Sequence, residues 1–276
     1  MTVERIAQLK HACKQMRRDC LVMADAAGEL GFHFGGTFSL IEIAVSLYIE
    51  VMRTGKETIN DKNRDRVILS KGHGVPAIYA VLKQIGILSD EDIRTFKNDV
   101  TDLYGHPCMN DRLGIEFSTG SLGQGLSQGV GVAAALRHYG NISSKVYVIL
   151  GDGECDEGSV WEAAMSATKF GLTNLVVVID RNHVQYDGNT EEIMPLGSLE
   201  NKWKSFGWNV VTIDGHDLLQ CCDAFRIQSD LPLAIIANTI KGKGVSFMEN
   251  NPFWHHGILT KTQREEAWKE VSDDTI

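Results

Sequence analysis

Asp152 and Asn182 stand thirty residues apart within KVYVILGDGECDEGSVWEAAMSATKFGLTNLVVVIDRN, residues 145–182. Each falls where an apolar, β-rich run stops, and the stretch between them reads as a helix. A right-handed crossover therefore sets two consecutive strand tips close together, where the two side-chain oxygens could share one hard cation. Gly151 and Gly153 let the backbone turn sharply beside a ligand, and the start of the next helix favours negative charge. That pattern suits a phosphate. Yet Asp152, Glu154, Asp156 and Glu157 crowd the same turn and would repel a bare diphosphate. A divalent metal resolves the conflict, because Mg²⁺ or Ca²⁺ binds carboxylate, amide oxygen, backbone carbonyl and diphosphate oxygen together.

Two other site types fit poorly. Asp152, Glu154 and Asp156 alternate as in an EF-hand, but the sixth residue is Glu157 where glycine is required and the twelfth is Ala163 where glutamate is required. In Gly120-Ser-Leu-Gly123-Gln-Gly125 the glycines stand in the wrong order for a dinucleotide turn. An acidic solvated turn with a glycine elbow is the bland alternative, and the strand-helix-strand context disfavours it. Several of the nine histidines lie near glycine turns or strand ends, where imidazole can move protons near neutral pH, although a lone histidine is more often a satisfied residue. His11, His138, His183 and His216 read as satisfied surface or core residues.

The elements that must position these groups alternate between strand and helix. Apolar runs at Val67–Ser70, Lys145–Leu150, Asn174–Asp180, Asn209–Ile213 and Leu233–Thr239 predict strands, several apolar on both faces as strands covered on both sides must be. The expected fold is α/β, a doubly wound and mostly parallel sheet with helices on both faces. Functional residues belong at the C-terminal strand ends. Ile6, Leu9, Cys13, Met16, Cys20, Met23, Ala27 and Leu30 mark one face of a long first helix. A turn at Gly31–Gly36 then leads to a second helix through Leu40, Ile43, Ala44, Leu47, Tyr48 and Val51. No linker or repeat divides the chain, so a single domain over 1–276 is expected, with an N-terminal helical segment at 1–55 and a C-terminal helix and acidic tail at 260–276.

Composition bounds the function. Net charge is -9 with a pI near 5.5, which argues against nucleic-acid and general membrane binding. No stretch approaches the roughly 18 to 20 apolar residues of a membrane span. The six cysteines show no metal-binding spacing and read as small buried hydrophobes in a reducing cytoplasm.

The ordered set Ser70-Lys71-Gly72-His73-Gly74, Gly105-His106-Pro107, Ser118–Gly125, GDG with Asn182 thirty residues on, and Lys241-Gly242-Lys243-Gly244 resembles transketolase over roughly residues 10 to 265. The resemblance implies the thiamine-diphosphate-binding fold of the diphosphate (PP) type, with Asp152, Asn182 and the Val184 carbonyl holding Mg²⁺ or Ca²⁺. It places Gly151, Asp152, Gly153, Glu154 and Asn182 around the diphosphate, the Gly153 N–H donating to it. Gly120, Ser121 and Leu122 border the aminopyrimidine and thiazolium region, joined by His73, His255 and His256. His33, His73, His106 and His255 line the channel to the reactive carbon as the catalytic set, with His255 favoured over its neighbour His256. Lys97 falls where the family often has an arginine gripping a substrate phosphate, and lysine lacks its bidentate fork. Phe32 replaces a glycine common before the first histidine, which bears on channel width.

The resemblance further implies an activating glutamate from a pyrimidine-binding domain. None begins before Ile276. The expected protein is thus the N-terminal subunit of a split transketolase, paired as α₂β₂ with a C-terminal subunit that carries that domain and glutamate. It would move a two-carbon ketol (glycolaldehyde) unit from a ketose or ketose phosphate to an aldose. A related thiamine-dependent lyase or ligase, such as a deoxyxylulose-phosphate-synthase-like enzyme, and a non-catalytic scaffolding subunit are the alternatives.

Overall fold

A computed structural model describes residues 1–272, so the acidic tail expected at the C-terminus lies outside the described residues. Five strands, β1 (Arg66–Leu69), β2 (Val146–Gly151), β3 (Leu175–Arg181), β4 (Asn209–Asp214) and β5 (Leu233–Asn238), form one parallel sheet in the order β1-β2-β3-β5-β4. Its helices are α1 (Val3–Ala27), α2 (Phe34–Phe38), α3 (Ile41–Val45), α4 (Val75–Gln84), α5 (Asp90–Ile93), α6 (Gly125–His138), α7 (Gly158–Lys169), α8 (Thr190–Ile193), α9 (Leu199–Ser205), α10 (Leu218–Phe225) and α11 (Lys261–Glu270).

Alternate residues of the central strands enter two different cores, since side chains of a strand point to opposite faces. Tyr147, Ile149, Val176 and Val178 pack with α1, α3, α4 and α10, whereas Val148, Leu150, Val177 and Ile179 pack with α6, α7 and α9. The doubly wound α/β fold follows directly from those unbroken apolar strands. No helix among the described residues is long and apolar enough to cross a membrane.

Three expectations change in detail. The first helix ends at Ala27, where Gly28 takes a positive φ of 52°, and Leu30 beyond it is 61% exposed. The second helix is not continuous: α2 already contains Gly35 and Gly36, α3 follows a break at Ser39–Leu40, and a wider turn spans Ser46–Val51. The break falls where the Ser39 hydroxyl donates to the Asp180 carboxylate at 2.6 Å, so a side chain at this bend serves the end of β3. Five cysteines are buried, but Cys108 is exposed because it follows the Gly105-His106-Pro107 loop at the surface.

Candidate cofactor site

The crossover does bring the two strand tips together. Gly151 pairs with Asp180 at the ends of β2 and β3, and the Asp152 N–H donates to the Asp180 carbonyl at 3.2 Å. Asp152 Oδ2 accepts the His183 N–H at 2.6 Å, and Oδ1 accepts the Gly153 N–H at 2.9 Å. Asn182 Oδ1 accepts the Val184 N–H at 3.1 Å, and the Val184 carbonyl accepts from Lys241 Nζ at 2.6 Å. Asp152, Asn182 and Val184 are all buried. Burial, followed by the nearby Asp180 charge, pushes the Asp152 carboxyl upward, while the two backbone N–H groups oppose the shift. A hard cation would relieve that pressure. No group of three His, Cys, Asp or Glu side chains among the described residues could hold a metal. The oxygen donors at this point are the Asp152 carboxylate, the Asn182 amide and the Val184 carbonyl, hard oxygen atoms of the kind that Mg²⁺ or Ca²⁺ accepts.

Asp180 organises this end of the sheet. Fully buried, it accepts from Lys71 Nζ, from the hydroxyls of Ser39 and Thr239, and from Asn182 Nδ2 at 3.2 Å. Burial alone would raise its carboxyl, but the Lys71 charge and these donors outweigh that and hold it low. Lys71 and Lys241 are both buried beside the cleft. Burial and then the Lys71 charge bring the Lys241 ammonium down to about 8. Sequence reasoning assigns neither lysine a role, although both sit inside the quoted motifs. Linear spacing gives no sign that SKGHG and KGKG aim their first lysines at one point.

Glu154 lines the cleft, yet its carboxylate is spent within the protein. It accepts the Ser70 hydroxyl, the Gly123 N–H at 2.9 Å and the Gly151 N–H at 3.1 Å. It thereby ties the Ser118–Gly125 loop to the ends of β1 and β2. The approach of these loops depends on glycine: a Cβ on Gly72 would lie 2.9 Å from the Gly120 backbone nitrogen and 2.9 Å from Thr119 Oγ1. Gly72→Ala should therefore push the His73 loop from the Gly120 loop and weaken cofactor binding by at least about tenfold, the equivalent of roughly 1.4 kcal/mol. Calorimetric titration of thiamine diphosphate checks this, and unchanged affinity would show the loops to be pliable.

The histidines converge from four segments. His33 is central, with ring centroids 5.7 Å from His73, 5.3 Å from His106, 5.7 Å from His255 and 4.5 Å from His256. Burial comes first in depressing all five. Neighbouring imidazoles and Lys97 add to it at His33, and Lys241 with Lys71 at His255, which bring both to about 3. His73, His106 and His256 are lowered too, so these rings are neutral at pH 7. A cleft of about 290 Å³ is lined by His33, His73, His106 and His255 together with Asp152 and Lys241. His256 is not among its lining residues and packs instead against His33.

Phe32 does not narrow this cleft. It is 1% exposed and packs away from it on Phe34 and Phe96, while its backbone exchanges two hydrogen bonds with Gly257. Lys97 does not line the cleft either. Its ammonium donates to the carbonyls of Gly31 at 2.8 Å and Leu30 at 3.2 Å. Ser121 lies outside the lining, whereas Gly120, Leu122, Gly151 and Gly153 belong to it. His183 contributes through its backbone alone, at a positive φ of 62°. A larger cavity of about 480 Å³ lies elsewhere, between α1 and the start of α10, and shares no lining residue with the cleft.

A parallel sheet whose C-terminal strand ends gather buried oxygen donors, two lysines and a histidine cluster around one cleft places this chain among α/β proteins with a polar site at the strand tips. The chain belongs to the family described as transketolase, thiamine diphosphate binding domain, which matches residues 11–271. It is 42% identical over 244 residues to an apulose-4-phosphate transketolase subunit of Phocaeicola vulgatus, covering 87% of this chain and 86% of that protein. It is 40% identical over 270 residues to 6-deoxy-6-sulfo-D-fructose transketolase subunit SqwG of Clostridium sp., covering 96% and 95%. The solved transketolase from Leishmania mexicana superposes with a TM-score of 0.89 at 26% identity, over 96% of this chain but 41% of that one. The chain thus spans well under half of that transketolase.

Proposed function

We propose that this chain is the N-terminal subunit of a two-component transketolase and acts as one diphosphate-binding unit. Asp152, Asn182 and the Val184 carbonyl would hold Mg²⁺ or Ca²⁺, while Lys71, Lys241 and the Gly153 N–H add positive potential for the diphosphate. The supporting observation is that oxygen donors and buried ammoniums occupy one cleft at the tips of adjacent strands. When bound, thiamine diphosphate supplies the carbon-centred chemistry that moves a two-carbon ketol unit from a ketose or ketose phosphate to an aldose. His33, His73, His106 and His255 present neutral imidazoles that accept or return protons at sugar hydroxyls.

Relatives of matching length carry subunit names, which supports a separately encoded partner, and an α₂β₂ assembly is the arrangement proposed for the pair. That partner supplies the pyrimidine-binding domain and the glutamate for the aminopyrimidine. A cytoplasmic setting suits the free thiols, including exposed Cys108. Two-carbon transfer by this chain alone, with Mg²⁺ and thiamine diphosphate, should run below about one hundredth of the rate of the reconstituted complex, because the partner's proton-transfer group is missing. Equal rates with and without the partner would overturn the two-component reading.

A further inference from the structure

His216 lies outside the cleft, in the turn that follows β4. Its Nε2 accepts the Ile240 N–H at 2.8 Å, which requires that nitrogen to be bare. The ring proton therefore sits on Nδ1, which donates to Glu42 Oε2 at 2.8 Å. Glu42 Oε1 accepts Arg17 Nη2 at 2.7 Å, and Arg17 Nε donates to the Lys243 carbonyl at 3.0 Å. One chain of hydrogen bonds thus grips the main chain on both sides of Lys241, at Ile240 N and at Lys243 O.

The grip is built at some cost. Arg17 and Glu42 are 4% and 8% exposed, and desolvating two charges is repaid only by close, complete pairing. Burial pushes the Glu42 carboxyl up, but the Arg17 charge and the His216 hydrogen bond outweigh it and bring it down to about 2. Gly244, at a φ of 93°, leaves room for the guanidinium: a Cβ there would stand 2.6 Å from Arg17 Nε. Gly242 N–H donates to the Gly35 carbonyl at 3.1 Å, anchoring the same turn to the histidine-bearing segment.

We infer that Arg17, Glu42 and His216 are positioning residues that clamp the 240–243 turn and so aim the Lys241 ammonium into the cofactor cleft. The inference rests on the cofactor site proposed above. Apolar packing would hold two helices and a turn together equally well, but it would not fix one backbone N–H and one carbonyl three residues apart. Those two anchor points leave Lys241 little freedom except to face Val184 and His255, where its Nζ lies 2.6 Å and 3.2 Å from their acceptors.

Two variants separate this role from general stability. His216→Leu removes the acceptor for Ile240, whereas His216→Gln offers an amide oxygen to Ile240 and an amide donor to Glu42. With Mg²⁺ and the partner subunit, His216→Leu should raise the thiamine diphosphate Kd about tenfold, while His216→Gln stays within about threefold of wild type. In a Lys241→Met background the His216→Leu change should add almost nothing, since the residue it aims is gone. Amide exchange of residues 239–244 in the cofactor-free subunit should rise in His216→Leu and not in His216→Gln. Wild-type affinity in His216→Leu, or the same tenfold loss in the Lys241→Met background, overturns the inference. If the wild type binds no thiamine diphosphate, the cofactor reading fails, and the exchange measurement still decides whether the clamp exists. Should His216→Leu not fold, Arg17→Lys carries the same comparison, because a lysine keeps the charge but cannot reach Glu42 and the Lys243 carbonyl together.

Discussion

Asp152→Asn is expected to leave the subunit folded and to abolish metal-dependent uptake of thiamine diphosphate. The carboxylate accepts two backbone N–H groups, from His183 and Gly153. An asparagine keeps the shape and one acceptor oxygen, so the structural cost is one unsatisfied pairing, about 1–3 kcal/mol. The loss to the cation is larger. Asp152 is the only carboxylate in the proposed donor set, and Mg²⁺ or Ca²⁺ held by an amide, a carbonyl and water alone would dissociate readily. Cofactor affinity should fall more than about a hundredfold, exceeding the loss typical of removing a mere outer-shell partner of a ligand. Titration calorimetry with and without Mg²⁺ gives the affinity, circular dichroism melting gives the fold, and a chelator should reproduce the defect in the wild type. Cofactor uptake unchanged in Asp152→Asn would remove the metal site from the proposal.

Lys71→Met should produce the largest loss of stability of any single change at the site, about 3–5 kcal/mol. Lys71 and Asp180 are 1% and 0% exposed, and the substitution leaves a carboxylate buried without its cation. Ser39, Thr239 and Asn182 still donate to it, but neutral donors do not replace the missing charge. Chemical denaturation should show a lower midpoint with an unchanged slope. Adding Asp180→Leu should recover part of the loss, because an apolar pair often substitutes for a buried ion pair at little cost. If Lys71→Met melts like the wild type, Asp180 is not the charged hub described here.

Much of the architecture is legible in the sequence because parallel strands buried on both faces leave unbroken apolar runs, as at Leu175–Ile179. The adjacency of the β2 and β3 ends is legible for a related reason: a crossover of about thirty residues between consecutive strands has one favoured hand and places their tips together. The break at Ser39 is not, since only the end of β3, far along the chain, gives that hydroxyl its partner. The roles of Lys71 and Asp180 are hidden likewise, because a buried ion pair joins residues 109 positions apart and leaves no periodic mark. For Glu154 the sequence points to the right loop, and its place in the cleft lining agrees, but spacing does not tell that its oxygens also accept from Ser70, Gly123 and Gly151. His216 is satisfied, as its sequence context suggests, but only the fold reveals its partners, and their identity carries the meaning.

The two backbone hydrogen bonds between Phe32 and Gly257 have a consequence for how this protein can change over time. His33, which lines the cleft, follows Phe32 directly and packs on His256 beside Gly257, so this wall of the cleft is held by a ladder of its own outside the five-stranded sheet. Wall and strand tips meet at discrete polar contacts, such as Ser39 with Asp180 and Lys241 with His255. On the function proposed above, exchanging side chains on this wall would retune which sugar is accepted without disturbing the β2 and β3 ends, a route open to a lineage that adopts new carbohydrates.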